Sequence, residues 1–332
     1  AGPSGLTYHP GTGFLETEDN HFLICDYRGS GANSGIFSFE MKPSGAGMEM
    51  TENRKLSWGI GATDVEYSYD GKLIVTDFMN GWTSHEKGRV LALSAGDKTW
   101  RAAEAAEAGK LIKEGIGNLP AADVAKYLKH PDMRVRLRAQ IALTRKQDGL
   151  KTFMDSVKSA DQMERIHSLW GLGILARRGP VPVPTNDGFA TLPDKRDRQV
   201  AADQIIPFLE HEDEETRVQA IRSIATSGIP GDNLPLSVLT TDKSLRVRAE
   251  AAIAIGRMGA IGQFSTICEM LRANDNKDVF IRHAGIFALQ KFAEKGTPLS
   301  GVKADKSAAV RLAAVVAMRR THDPKVWLLV PD

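Results

Sequence analysis

Asp213-Glu214-Glu215-Thr216-Arg217-Val218-Gln219-Ala220 sets an acidic residue four positions before an arginine, then an apolar residue, then a small one. The same offsets recur at Asp132, Arg136, Leu137 and Ala139, and at Asp161, Arg165, Ile166 and Ser168. They recur again at Asp242, Arg246, Val247 and Ala249, at Asp278, Arg282, His283 and Gly285, and, led by serine, at Ser307, Arg311, Leu312 and Ala314. Successive anchors lie 29, 52, 29, 36 and 29 residues apart, and the long interval holds a Pro/Gly-rich insertion at 179–198. A repeating unit of this length marks a solenoid, in which each unit buries its apolar face on the next.

The residue types explain the motif. An aspartate at the start of a helix accepts hydrogen bonds from backbone N–H groups that have no partner within the helix. An arginine one turn later is placed to pair with that aspartate or with the one in the neighbouring unit. Small residues such as Ala139, Ala220 and Ala249 allow close helix approach, and Ala249–Gly259 has the apolar spacing of a packed helix. With six copies in register, the segment resembles HEAT repeats of the short bacterial kind, about 30 residues per unit. The resemblance implies an array at 119–332, preceded by a helical linker at 95–118. Such an array offers a concave face to a protein or glycan partner.

Before Ser94 the pattern becomes one of short strands. Val65–Tyr69 and Lys72–Asp77 flank Asp70-Gly71, the residue pair favoured by a two-residue type I′ hairpin turn. Phe22–Asp26 pairs with Ile36–Glu40 across a Gly/Ser loop, Arg89–Leu93 closes the region, and Leu6–Tyr8 and Arg54–Trp58 are weaker strands. At four strands per blade, these six or seven strands amount to about two propeller blades.

Four segments carry a resemblance here: Gly5-Leu-Thr-Tyr-His-Pro10, Leu23-Ile-Cys-Asp-Tyr-Arg-Gly29, Ala62–Phe78 and Lys87-Gly-Arg-Val-Leu-Ala-Leu93. They resemble the last blades of a glucose/sorbosone dehydrogenase-like propeller. The order of blades and then HEAT units resembles the bacterial "putative membrane-bound dehydrogenase" proteins, in which a cytochrome c-type haem domain follows. The expected fold is therefore α+β and multidomain: terminal propeller blades at 1–94, then the helical solenoid. The resemblance implies a fragment of a periplasmic or otherwise exported protein of the bacterial cell envelope. Its parent would oxidise a sugar or alcohol with pyrroloquinoline quinone and calcium, and pass electrons to haem in a separate domain. The remaining blades and that haem domain would be its partners. The alternative is a non-enzymatic scaffold.

Composition narrows these classes. Residues 1–94 hold 7 Lys+Arg and 12 Asp+Glu, so an acidic β half precedes a mildly basic helical half with interleaved charges, which disfavours nucleic acid. No run of about 18 apolar residues is present to span a membrane. Ala1–Gly5 does not begin a signal peptide. Cys25 and Cys268 stand outside any C-x-x-C or C-x-x-C-H pattern, so no covalent haem or thiolate zinc site is expected, and both are read as buried apolar residues.

Candidate chemistry lies in the loops leaving Asp26 and Asp77. Arg28 is a candidate for binding a quinone carboxylate, because guanidinium pairs with carboxylates through two bonds. Asp64 is a candidate for holding a cation or orienting a substrate hydroxyl. His85 and Glu86 are the weak catalytic candidates, as an acid–base pair. Asp64, Asp70 and Asp77 lack calcium-loop spacing, so no metal site is assigned to them. In the helices, His167 and Trp170 read as a packed aromatic pair, and Arg134–Arg138 as a solvated basic face plus the repeat arginine.

Overall fold

The computed structural model describes residues 2–79, 87–177, 181–185, 188–192, 194–231 and 234–329. It divides into two compact units, Ala1–Lys42 with Met48–Ala142, and Pro43–Gly47 with Leu143–Asp332.

Among the described residues seven strands lie wholly or mostly in the first unit: β1 (Gly2–Tyr8), β2 (His21–Tyr27), β3 (Gly35–Ser44), β4 (Gly47–Trp58), β5 (Ala62–Tyr67), β6 (Leu73–Asp77) and β7 (Arg89–Leu93). They form one sheet in the order β1-β2-β3-β4 and a second in the order β5-β6-β7, and neither sheet closes on itself. Alternation places Leu23 and Cys25 of β2, Val65 and Tyr67 of β5, and Leu73 and Val75 of β6 in one shared core. Within that core β5 packs on β1 and β2. A side chain on Gly5 would collide with the backbone of Asp64, so glycine permits the close approach of β1 and β5.

Two local expectations need correction. The hairpin at Asp70-Gly71 is not a two-residue type I′ turn, because only Gly71 has positive φ, at 81°. Gly71 N–H reaches Ser68 O at 3.4 Å, while Ser68 N–H donates to Lys72 O at 2.8 Å. This is a three-residue loop ending in a left-handed glycine, the second common hairpin solution for a similar sequence. The β3–β4 hairpin also runs further than Ile36–Glu40 and Arg54–Trp58. Its outer half has no buried stripe to announce it, and Met48 and Met50 are about half exposed.

Helices α1 (Ala102–Glu114) and α2 (Ala121–Ala125), a 3-10 turn at Lys126–Lys129, and α3 (Met133–Leu143) follow the sheets. The turn into α3 is fastened to strand loops of the first unit. Met133 N–H donates to Pro10 O at 2.8 Å and Thr12 Oγ1 to Asp132 Oδ2 at 2.7 Å. Arg134 Nη2 meets Asp132 Oδ2 at 2.7 Å, and its Nη1 donates to Tyr67 O and Ser68 O at 3.1 and 2.9 Å. Arg134 therefore does not belong to a solvated basic face; it is mostly buried among carbonyls and a carboxylate.

The second unit contains α4 (Gly149–Ser156), α5 (Gln162–Arg177), α6 (Lys195–Asp203), α7 (Glu214–Ile224), α8 (Leu236–Leu239), α9 (Leu245–Met258), α10 (Phe264–Asn274), α11 (Val279–Glu294) and α12 (Ala308–Arg320). Pairs α4–α5, α6–α7, α8–α9 and α10–α11 succeed one another, and a 3-10 turn at Leu299–Ala304 precedes α12. The insertion carries an antiparallel hairpin, β8 (Val181–Thr185) with β9 (Gly188–Leu192). A two-stranded ribbon leaves half of its backbone N–H groups outside the ladder, which is where the prolines of Val-Pro-Val-Pro are tolerated.

One hydrogen-bond module recurs in the turns before the second helices. The side chain two residues ahead of the cap accepts the cap's own N–H. It does so at His130 from Asp132 (2.9 Å), Ser159 from Asp161 (3.2 Å), His211 from Asp213 (3.0 Å), Asp242 from Ser244 (2.7 Å) and Asp305 from Ser307 (2.8 Å). The cap side chain then accepts from the first helical turn, as Asp161 does from Glu164, Asp213 from Thr216, Ser244 from Val247 and Asp278 from Ile281. The arginine four residues past the cap donates back to the turn carbonyls. Arg136 reaches His130 O and Pro131 O, Arg165 reaches Ser159 O, Arg217 reaches His211 O and Glu212 O, Arg248 reaches Asp242 O, and Arg311 reaches Asp305 O. Turn donors and acceptors are thus satisfied locally, as burial between stacked helices requires. The fourth copy is shifted by two residues from its expected register: its cap is Ser244 rather than Asp242, and its arginine is Arg248 rather than Arg246.

Candidate interaction surface

The second helices are joined to one another by ion pairs that cross between repeats. Arg165 Nη2 lies 3.6 Å from Asp213 Oδ2, and its Nε donates to Thr216 Oγ1 at 3.0 Å. Arg217 Nη2 donates to Asp242 Oδ1 at 3.0 Å. Arg165 and Arg217 are both buried, and the arginine-to-neighbour pairing anticipated by the repeat pattern is present at these two steps. The structure also supplies the reason the arginine is needed twice over: one edge of the guanidinium clamps its own turn while the other reaches the next repeat.

Asp213 titrates unusually as a result. Burial opposes its ionisation, but hydrogen bonds from the Thr216 hydroxyl, Gln162 and the Thr216 N–H, together with the charge of Arg165, outweigh it and hold the carboxyl at about 2.

Beside the buried rungs runs a strip of exposed and half-exposed ion pairs between α7 and α9. Arg222 Nη2 meets Glu250 Oε1 at 2.6 Å, and Arg246 Nη2 meets Glu215 Oε2 at 2.8 Å. Trp170 Nε1 donates to Gln219 Oε1 at 2.9 Å, with the His167 ring edge-on to the indole at 4.9 Å between centroids. Trp170 thus reaches the next repeat through Gln219, as the sequence indicates, while its ring contact with His167 lies within α5. Charges of both signs alternate along the strip, which is the wrong pattern for a phosphate backbone.

The strand loops place the other candidates separately. Arg28 already holds a carboxylate: its Nε and Nη2 meet Asp26 Oδ2 at 2.8 and 2.7 Å, and it lies near the Trp58 ring. Asp64 sits within β5, exposed, with Oδ1 accepting from the Val65 N–H at 2.9 Å. Neither shares a hydrogen bond or ion pair with the other among the described residues. Asp77 is buried, accepting from Gly61 N–H at 2.9 Å and from Arg89 Nε at 3.0 Å. Asp70 is paired with Lys72 at 2.5 Å. His85 and Glu86 lie outside the described residues. Burial pushes the Cys25 thiol up to about 12 and that of Cys268 to about 11, so both behave as apolar core groups at neutral pH.

Sequence reasoning missed Arg134, the accepting side chains of His130 and His211, and the role of Arg248. A usable signal exists for the histidines: an acceptor two residues before the capping Asp or Ser, Asp278 excepted, whose N–H goes to Asn274 four residues back. Among the described residues no group of three or more His, Cys, Asp or Glu is arranged to hold a metal ion, and no helix is long and apolar enough to cross a membrane. A search of curated proteins finds no match to the chain. Residues 202–290, from the end of α6 into α11, match the family model of HEAT repeats.

Proposed function

We propose that this chain is an interaction scaffold whose helical array docks a protein partner. The observation that carries the proposal is the cross-repeat ladder Arg165–Asp213 and Arg217–Asp242. Buried ion pairs are poor sources of net stability, but they penalise any slip between neighbouring elements and so fix register. A stack fixed in register presents a rigid, extended surface, the property for which solenoids serve as docking platforms. The HEAT match and the mixed-charge strip on α7 and α9 support the same reading. Photo-crosslinkers at Arg222 and at Arg257, exposed in the last turn of α9, test it in the intact chain. A discrete adduct, identified by mass spectrometry and rebound as purified protein, is the expected result. Adducts equally distributed over control positions on α4 and α6 would refute it.

A second reading is favoured by the stacking of β5 on β1 and β2, the arrangement expected of neighbouring blades whose innermost strands touch. It makes the sheets terminal blades of a propeller in an exported, periplasmic sugar or alcohol dehydrogenase using pyrroloquinoline quinone and calcium, with haem in another domain. Arg28 is paired with Asp26, and Asp64 accepts from the Val65 N–H. This reading therefore puts the pocket in other blades, and no catalytic step is derived through these residues. Quenching of protein fluorescence by the quinone, with calcium, in a propeller-complete protein tests it; no quenching removes the cofactor.

A further inference from the structure

The ladder stops at Arg248. Arg165 and Arg217 each reach a carboxylate of the following repeat, whereas Arg248 uses only Nε, on the Asp242 carbonyl. Its Nη1 and Nη2 have no hydrogen-bond or ion-pair partner among the described residues. At the same place the first-helix layer thins. Helix α8 has 4 residues where α10 has 11, so the flank of α9 and the start of α11 are left uncovered between them. The result is a pocket of about 460 Å³ with Val238, Leu245, Met270 and Ile281 as apolar lining, Arg248 in its wall and Glu269 on α10 at its side. Val238 is 64% exposed. A volume of this size, its apolar residues interspersed with four hydroxyl side chains and Asn274, is of the order that receives a ligand's side chains.

We propose that this pocket binds a peptide segment of a partner protein in which an aspartate or glutamate adjoins a bulky apolar residue. The carboxylate completes the rung that Arg248 leaves open, as Asp242 does for Arg217, and the apolar residue covers Val238 and Met270. Glu269 disfavours a run of several acidic residues, because a second anion there meets like charge. The assignment rests on the scaffold reading and names the partner's chemistry.

The probe is a set of capped dodecapeptides with a central Leu-Leu-Xaa-Leu, where Xaa is Glu, Gln or Lys, titrated into the isotope-labelled full chain. The Glu peptide is expected to shift resonances of α8, α9 and α10, and the Gln peptide to bind about tenfold more weakly, the loss of one charge-assisted pair. Since Arg248 also holds its own turn, the informative variant is Val238→Glu, an exposed site whose change leaves the fold intact and abolishes binding. Equal affinity for Glu and Gln peptides, binding unchanged in Val238→Glu, or no binding of any peptide at about 1 mM, a very weak association, overturns the assignment. A crosslinked partner that still binds Val238→Glu keeps the scaffold and rejects the pocket.

Discussion

Arg217 on α7 and Asp242 in the turn before α9 share a hydrogen bond of 3.0 Å across two successive repeats, and both side chains are largely withdrawn from water. Removing the cation leaves a buried carboxylate uncompensated and two turn carbonyls unclamped. Arg217→Met is therefore expected to lower unfolding free energy by about 3 kcal/mol. Arg222→Ala, which breaks the exposed pair with Glu250, is expected to cost under about 1 kcal/mol. Denaturant titration of both variants checks the contrast; equal losses would mean that the rungs are not the register-setting contacts.

The pH response of the array follows from Asp213. Its folded value of about 2 lies below the ordinary carboxylate value of 3.8, so its contribution is complete above pH 4. That contribution is lost as pH falls through the folded value. After allowance for partial exposure it amounts to about 1–2 kcal/mol. Asp213→Asn should flatten the stability profile between pH 4 and 2 by this amount, measured by denaturation at fixed ionic strength.

Both thiols are predicted to resist alkylation in the native chain. With values raised by burial to about 12 and 11, Cys25 and Cys268 are almost wholly protonated at pH 7.5. Iodoacetamide followed by intact-mass analysis should add nothing to folded protein and two adducts after denaturation. Rapid native labelling of Cys25 would mean that the core between the two sheets opens readily.

Gly5→Ala probes that core directly. The added methyl meets the Asp64 backbone, which cannot move without separating β1 from β5, and overpacking of this kind costs about 1–3 kcal/mol. The loss should appear as a lowered melting temperature, with Gly2→Ala, whose Cβ position is open, as the unaffected control.

Much of this architecture is legible in the sequence, because capping and apolar alternation are local and leave fixed spacings. Asp161, Asp213 and Asp278 cap the helices that their spacing announces, and β2, β6 and β7 lie where alternation puts them. The register of the fourth repeat is ambiguous in the sequence because Asp242-Lys-Ser244 offers two capping residues and Arg246-Val-Arg248 two arginines. Only the three-dimensional turn decides which pair is used. Sequence spacing alone makes Arg134 a solvated residue, because its partners, the Tyr67 and Ser68 carbonyls, lie more than 60 residues away and have no side-chain signature. The pocket beside α8 was invisible for a related reason: it arises from what the short α8 fails to cover, and spacing records only what is present.

The most direct test of the scaffold exchanges a charge pair on the second-helix strip without breaking it. The double variant Arg222→Glu with Glu250→Arg retains the intramolecular pair seen at 2.6 Å while reversing the local surface charges. Affinity of the reconstituted partner for this variant should fall about tenfold, near 1.4 kcal/mol, with the melting temperature unchanged. Unchanged affinity would contradict the claim that this surface is where the partner docks.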